Sequence, residues 1–474
     1  MALVNKSTSK EQGRKTKASS KEGGKDAKLP KLGKTASSPT TTASSDESAK
    51  GLRVRMFRVG FGDFFLLTVP TGNGESEHIL IDCGVHAQDL GSIRDAVDQM
   101  AKECGSKLAL IIMTHRHADH ISGFATCSDI FRGFTVERVW MPWFEDPKND
   151  AAMAFQASLT AMARQLSMRL AARADDSSLM LKDMVDNITG GLGVAGGVLG
   201  NQKALDVLHN GFKNKADHDY YKAGDQPSLP KSLSDAGLSA QIFGPPIDPK
   251  LISQTTKKNQ QYLAGETETD DEVVRPFARA FCTDKDSYPA DAFRTFDDQT
   301  IRRLVDGAQP DLLAARAKAA DNTLNNQSLV VLFSFRGRNL LFVGDAQWGN
   351  WENFLYGGAY GTPGHTGLTE RARSILGKID FYKVGHHGSA NATPKDAVAA
   401  MRQGCVGMCS TEINAYNEVP REPLLEALRG RMEGQLARSD QVATQEHEAE
   451  ETAGALPDEF RLPTGKLFVD YEFK

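Results

Sequence analysis

The sequence predicts an α/β protein whose strands fall in two blocks, with a large, mainly helical insertion between them. Strand-length apolar runs alternate with helical spacing over residues 51–144 and return over residues 321–474. The intervening stretch, 145–320, carries long Ala-, Leu- and Met-rich segments instead. A third observation concerns chemistry. Three predicted strands run directly into loops that bear histidine or aspartate.

Residues 1–50 are rich in Lys, Ser, Thr and Gly and contain no aromatic residue. Such a segment buries too little surface to offset its ordering entropy, so it reads as a disordered basic tail. Order is expected from Leu52. Arg53–Val59 and Phe64–Val69 read as two strands joined by the turn Gly60–Asp63, and His78–Asp82 as a third. Asp89–Glu103 has helical spacing. Leu108–Met113 is a continuous apolar run, the pattern of a strand covered on both faces. Asp129–Arg132 continues a helix, and Val136–Met141 is another short strand.

Within the insertion, Ala151–Ala174 reads as a long helix. Ile188–Gly200 is a Gly-rich apolar run too short to span a bilayer. Ser239–Pro246 reads as a strand entering a proline turn, and residues 248–320 as polar and helical. Beyond it, Ser328–Phe335 and Asn339–Val343 form a strand pair around Arg336–Arg338. Phe381–Val384 and Val406–Cys409 are strands, Ala427–Glu451 is helical or partly disordered, and Lys466–Phe473 alternates like a final edge strand.

The chain has 474 residues, 40% hydrophobic and 25% charged, which excludes a wholly disordered chain. No apolar run is long enough for a membrane span. The net charge of −5 is uneven. Ten lysines and Arg14 oppose five acidic residues in 1–50, giving +6 there and −11 for the remainder. A nucleic-acid groove would therefore have to be basic locally. The six cysteines include no CxxC pair, and the start lacks a signal-peptide apolar region, so a reduced, cytoplasmic protein is expected.

The densest chemistry is Met113-Thr114-His115-Arg116-His117-Ala118-Asp119-His120, directly after the buried run Leu108–Met113. Clustered neutral imidazoles are costly to bury without partners. A zinc ion supplies such a partner, since imidazole nitrogen and carboxylate oxygen are among its usual ligands. His115 and His117 fall on one side of an extended segment, and Asp119 and His120 can face a second metal. Val343-Gly344-Asp345-Ala346 and Val384-Gly385-His386-His387-Gly388-Ser389 also end strands, where open α/β sheets gather their sites.

Together these motifs resemble the metallo-β-lactamase superfamily, and more finely its ComEC-like branch. The match runs through Val59–Leu67 (VGFGDFFLL), Leu80–Gly84 (LIDCG), His115–His120, Asn326–Val330 ahead of Gly344-Asp345, and Tyr382–Ser389 (YKVGHHGS). It covers roughly residues 52–142 and 324–425. The resemblance implies an αββα sandwich and a hydrolase with one or two Zn²⁺ ions, Mn²⁺ being an alternative. It implies His115 and His117 as ligands of the first metal, Asp119 and His120 of the second, and Asp345 as the bridge. His386 or His387 completes the set, His386 being favoured because it lies nearer the strand end. Asp82 matches the aspartate that orients a ligand, and Asp63 is read first as a turn residue.

The third histidine of most dinuclear members has no convincing equivalent, since His209 and His218 lie in the insertion. The implied reaction is hydrolysis by a zinc-bound hydroxide, with Asp119 accepting a proton and Lys383 facing the site to hold an anionic group. A phosphodiester or nucleic-acid substrate comes first. The alternatives are a small ester, lactone or thioester on the same site, or a scaffold protein that keeps the fold. The long insertion is expected to act as a lid or to hold a protein partner.

Overall fold

The computed structural model describes residues 51–72, 74–86, 90–157, 161, 200–262, 322–363, 367–413, 419–441, 456–463 and 467–473. The expected disordered tail, all but the last residue of the Gly-rich run and most of the polar stretch 248–320 lie outside the described residues. So does Cys282.

Thirteen strands are described, in two sheets. The first sheet contains β1 (Leu52–Phe57), β2 (Phe64–Gly72), β3 (Glu75–Cys83), β4 (Lys107–Ile112), β5 (Thr135–Pro142), β6 (Asp217–Tyr221) and β13 (Phe468–Phe473). Its order is β13-β1-β2-β3-β4-β5-β6. From β13 to β3 neighbours are antiparallel, and from β3 to β6 they are parallel. The second sheet contains β7 (Leu238–Gly244), β8 (Val330–Phe335), β9 (Arg338–Phe342), β10 (Phe381–Lys383), β11 (Val406–Cys409) and β12 (Leu436–Arg438). Its order is β12-β11-β10-β9-β8-β7, with β7, β8 and β9 antiparallel and β9 to β12 parallel.

The facing sides of the sheets share one apolar core, in which Phe65, Ile81, Leu110 and Trp140 meet Phe333, Phe342 and Phe381. Helices cover the outer faces. Over the first sheet lie α1 (Ile93–Glu103), α2 (Ala118–Thr126) and α3 (Gly200–Asn210). Over the second lie α4 (Trp348–Tyr356), α5 (Glu370–Leu376), α6 (Lys395–Ala400) and α7 (Glu422–Arg431). The result is a four-layer αββα sandwich. With both faces covered, the parallel strands need apolar residues throughout, which is why β4 reads LALII without alternation.

Two strands arise inside the segment 145–320. β6 pairs with β5 at one edge of the first sheet, and β7 pairs with β8 at one edge of the second. The short sequence of β6, DHDYY, has no apolar run, and its strand state comes from the backbone that β5 offers it. The second block is otherwise close to expectation. Its last stretch differs, because α7 starts at Glu422 and β12 follows it.

One buried ion pair closes the first sheet. Arg55 on β1 donates to both oxygens of Asp470 on β13, at 2.7 Å each. It also pairs with Glu103 at the end of α1. Removing one partner of such a buried pair costs about 3–5 kcal/mol.

Candidate metal centre

The site forms where strand ends of both sheets meet. β3 ends at Asp82-Cys83, and β4 runs into the His115–His120 loop. β9 runs into Asp345, and β10 into His386-His387. The strands can approach because Gly84 has no side chain. A Cβ there would lie 2.4 Å from the backbone of Asp119 and His120. Three site residues sit in left-handed backbone: Asp82 (φ 54°), His386 (φ 44°) and His387 (φ 51°). Each such conformation costs about 1–3 kcal/mol in a non-glycine residue and persists only where its surroundings hold it.

Asp119, His120, Asp345 and His387 each offer one ligand atom, and these four atoms lie within 4.8 Å of one another. All four side chains are buried. His120 Nε2 lies 3.2 Å from Asp345 Oδ2. His387 Nε2 lies 3.1 Å from Asp119 Oδ2 and 3.5 Å from Asp345 Oδ2. The other nitrogen of each ring is engaged behind the site. His120 Nδ1 is 2.7 Å from Asp82 Oδ2, and His387 Nδ1 is 2.8 Å from the Ser410 carbonyl. Those contacts leave both Nε2 atoms pointing into the group. Phe61 covers the His387 ring, with centroids 4.2 Å apart.

His115 and His117 form the other half. His115 Nε2 and His117 Nδ1 converge to 2.9 Å. Thr114 and Ser328 hydroxyls lie 3.2 and 3.3 Å from His115 Nδ1. Among the described residues, no third His, Cys, Asp or Glu completes a metal-holding group around this pair. The His209 and His218 rings lie tilted beside each other, centroids 5.1 Å apart, and His218 Nε2 faces the Leu208 carbonyl. They do not supply it.

Asp82 accepts from the Thr114 N–H (2.8 Å) and the Thr114 hydroxyl (2.6 Å) as well as facing His120. Asp82 thus lies directly behind the His120 ring. Two expectations change. His386, favoured for its place at the strand end, stands outside the four-donor group, and His387 is inside it. The tight turn rotates the His386 ring toward Ser389 (2.7 Å) and Asn391 (3.1 Å), while its backbone N–H donates to Asp345 Oδ1 at 3.1 Å. The Lys383 ammonium is held among the chain's own carboxylates. It is buried, pairs with Asp63, donates to the Gly344 carbonyl (3.1 Å) and lies 3.7 Å from Asp345 Oδ1.

Asp63 is more than a turn residue. It is buried, paired with Lys383, and 3.7 Å from both His120 Nδ1 and His387 Nδ1. Its place in the VGFGD motif was the only sequence signal. Ser410, which holds His387 through its backbone, had none.

Electrostatics divides the site. Burial, reinforced by the neighbouring imidazoles of His120 and His117, holds His115 well below the ordinary histidine range. Burial likewise brings His117 down to about 4. Burial also acts against a charge on His120 and His387, but the surrounding carboxylates, Asp345 foremost, outweigh it. His120 is raised well above the ordinary range and His387 to about 10. Burial acts against charge on Asp119 and Asp345 too, and His120 and His387 overcome it, leaving both carboxyls well below the usual range.

Asp63, Asp82, Asp119 and Asp345 thus gather four buried carboxyl groups with Lys383, His120 and His387. Buried charge of this kind is stable only when paired or when coordinating a metal. The donor set, imidazole nitrogen with carboxylate oxygen, fits a divalent cation such as zinc or manganese.

No protein-family model and no curated protein matches the chain. Among solved structures it is similar to the metallo-β-lactamase fold protein YhfI from Bacillus subtilis, at 8% identity, over 82% of this chain and 96% of the other, with a TM-score of 0.32. It is also similar to a diphosphatase of the PhnP family, at 8% identity over 89% and 98%, TM-score 0.30. A β-lactamase domain protein from Burkholderia ambifaria is 16% identical over 40% and 44%, TM-score 0.21. At these TM-scores the fold is read from this chain's own layers, strand order and motif placement. By these the chain is an αββα sandwich of two mixed sheets, with a buried His/Asp cluster at the strand ends that can hold metal.

Proposed function

We propose that the protein is a metal-dependent phosphodiesterase acting with zinc or manganese. The observation that carries this is the buried group of Asp119, His120, Asp345 and His387 beside the converging pair His115 and His117. In this reading His115 and His117 would hold a first cation and Asp119, His120 and His387 a second, with the Asp345 carboxylate available to both.

A divalent cation held there supplies Lewis acidity toward the reacting oxygen and acidifies a water toward neutral pH. The chain's own residues do the rest. Asp82 fixes the His120 ring through Nδ1, and the Ser410 carbonyl fixes His387. Asp119 would accept the proton of the attacking water on its carboxylate as the new P–O bond forms, and deliver it to the departing alkoxide oxygen as the old P–O bond breaks. Lys383 and Asp63 balance charge beneath Asp345, so that the cluster stays ionised when the substrate arrives. The motif resemblance favours a phosphodiester over other hydrolysable groups.

The test is turnover of bis(p-nitrophenyl) phosphate by purified protein with Zn²⁺ or Mn²⁺, with His117→Ala as control. Metal-dependent cleavage lost in the variant is expected. Turnover of a lactone or thioester alone would replace the substrate reading. Protein that carries no transition metal and turns over none of these would overturn the enzymatic reading.

A further inference from the structure

Arg116 lies between His115 and His117, whose rings converge. In an extended segment the middle residue of three points away from its neighbours. The Arg116 guanidinium meets Glu145 in a two-pronged pair, with Nε donating to Oε1 at 2.7 Å and Nη2 to Oε2. Both side chains are buried. The Arg116 backbone is held as well. The buried Asn201 donates through Nδ2 to the Arg116 carbonyl at 2.8 Å.

Both anchors come from the segment 145–320. Glu145 closes the short 3-10 turn Trp143–Glu145 directly after β5, and Asn201 stands at the head of α3. α3 is itself fixed, because Ala204, Leu205 and Leu208 share a core with Ile121 and Phe124 of α2. The metal loop is therefore gripped at one residue from two directions, by side chain and by main chain.

A buried ion pair adds little stability over apolar side chains of the same size. What the planar guanidinium fork adds is direction, which a lysine ammonium lacks. Fixing the side chain and carbonyl of Arg116 fixes the peptide units on either side, and these carry His115 and His117. The two halves of the centre are thus held differently. Asp82 and the Ser410 carbonyl act directly on the rings of His120 and His387. The Glu145 and Asn201 contacts act through the backbone between His115 and His117.

We propose that Arg116, Glu145 and Asn201 are positioning residues that make the roots of the segment 145–320 a brace for the first cation position. The proposal rests on the reading of His115 and His117 as that position, and names what governs its occupancy.

The test is Zn²⁺ affinity, measured by competition with a chromophoric chelator. Arg116→Lys and Asn201→Leu should each weaken the weaker of the two positions by about tenfold, the usual loss when support behind a ligand is removed, and leave the tighter one unchanged. Arg116→Gln/Glu145→Gln, which leaves no unpaired charge, should give the same split if Arg116→Lys does not fold. Arg55→Lys is the control, since it loosens another buried pair, with Asp470. It should lower the urea midpoint and change neither affinity. Unchanged affinities in the brace variants would overturn the proposal, as would losses shared equally by both positions or matched by Arg55→Lys. Nitrogen-15 ring signals in zinc-free protein read the brace without any ion. Those of His115 and His117 should shift in Arg116→Lys and Asn201→Leu, and that of His78 on β3 should stay. Shifted signals in a protein whose wild type binds no zinc at the pair keep the brace and overturn the cation reading. Unshifted signals overturn the brace whatever the wild type binds.

Discussion

The two halves of the centre share the His115–His120 loop and behave oppositely. His115 and His117 see mainly burial and other imidazoles, and are held neutral. His120 and His387, a few ångströms away, see Asp345 and Asp119 and are pushed toward the charged form. The carboxylates make the difference. They give the second half two anionic donors and a reason to hold positive charge, whereas the first half has two neutral donors and no third ligand among the described residues. The second position should therefore hold its ion more tightly than the first.

The largest effect that would break this comparison is on the bridge. Asp345→Ala should lose both metal equivalents and lower turnover by more than about 100-fold, beyond the usual cost of losing a supporting residue. His115→Ala should keep one equivalent. Metal analysis after gel filtration checks both. Retained stoichiometric metal in Asp345→Ala would remove the bridge, and equal losses in the two variants would remove the asymmetry.

A smaller effect separates the adjacent histidines. His387→Ala should lose an equivalent of metal and most turnover. His386→Ala should keep full metal content and lose about tenfold in rate or less, because its ring contacts Ser389 and Asn391 rather than the donor group. Metal loss confined to His386→Ala would reverse the assignment.

The smallest effect lies outside the centre. Burial and the neighbouring His218 hold His209 below the ordinary histidine range, against the opposing pull of Glu145 and Asp206. The folded form thus resists a proton that the unfolded chain accepts. Stability from this site is complete above about pH 6.5 and declines as pH falls through that value. Urea midpoints at pH 7.5 and 5.5 should draw together in His209→Leu. An unchanged difference would show that His209 is not the source.

Much of this was legible along the chain because each motif follows a strand that its own residues specify. The apolar run of β4 states its burial directly. β6 was not legible, because DHDYY has no pattern of its own and becomes a strand only beside β5. Asp63 looked like any aspartate in a Gly turn. Its importance comes from Lys383, 320 positions later, reaching back to it.

By itself, then, the sequence determined the donor types, their order and the strand ends that carry them, because ligand chemistry and strand periodicity are local properties. Tertiary structure decided which donors converge. His387, not His386, stands in the four-donor group because strand ends from both sheets bring Asp119 and Asp345 to its Nε2. Lys383 is an internal counter-charge because two sheets bring Asp63 and Asp345 to it. Such choices depend on packing between segments hundreds of residues apart, and no local pattern encodes them.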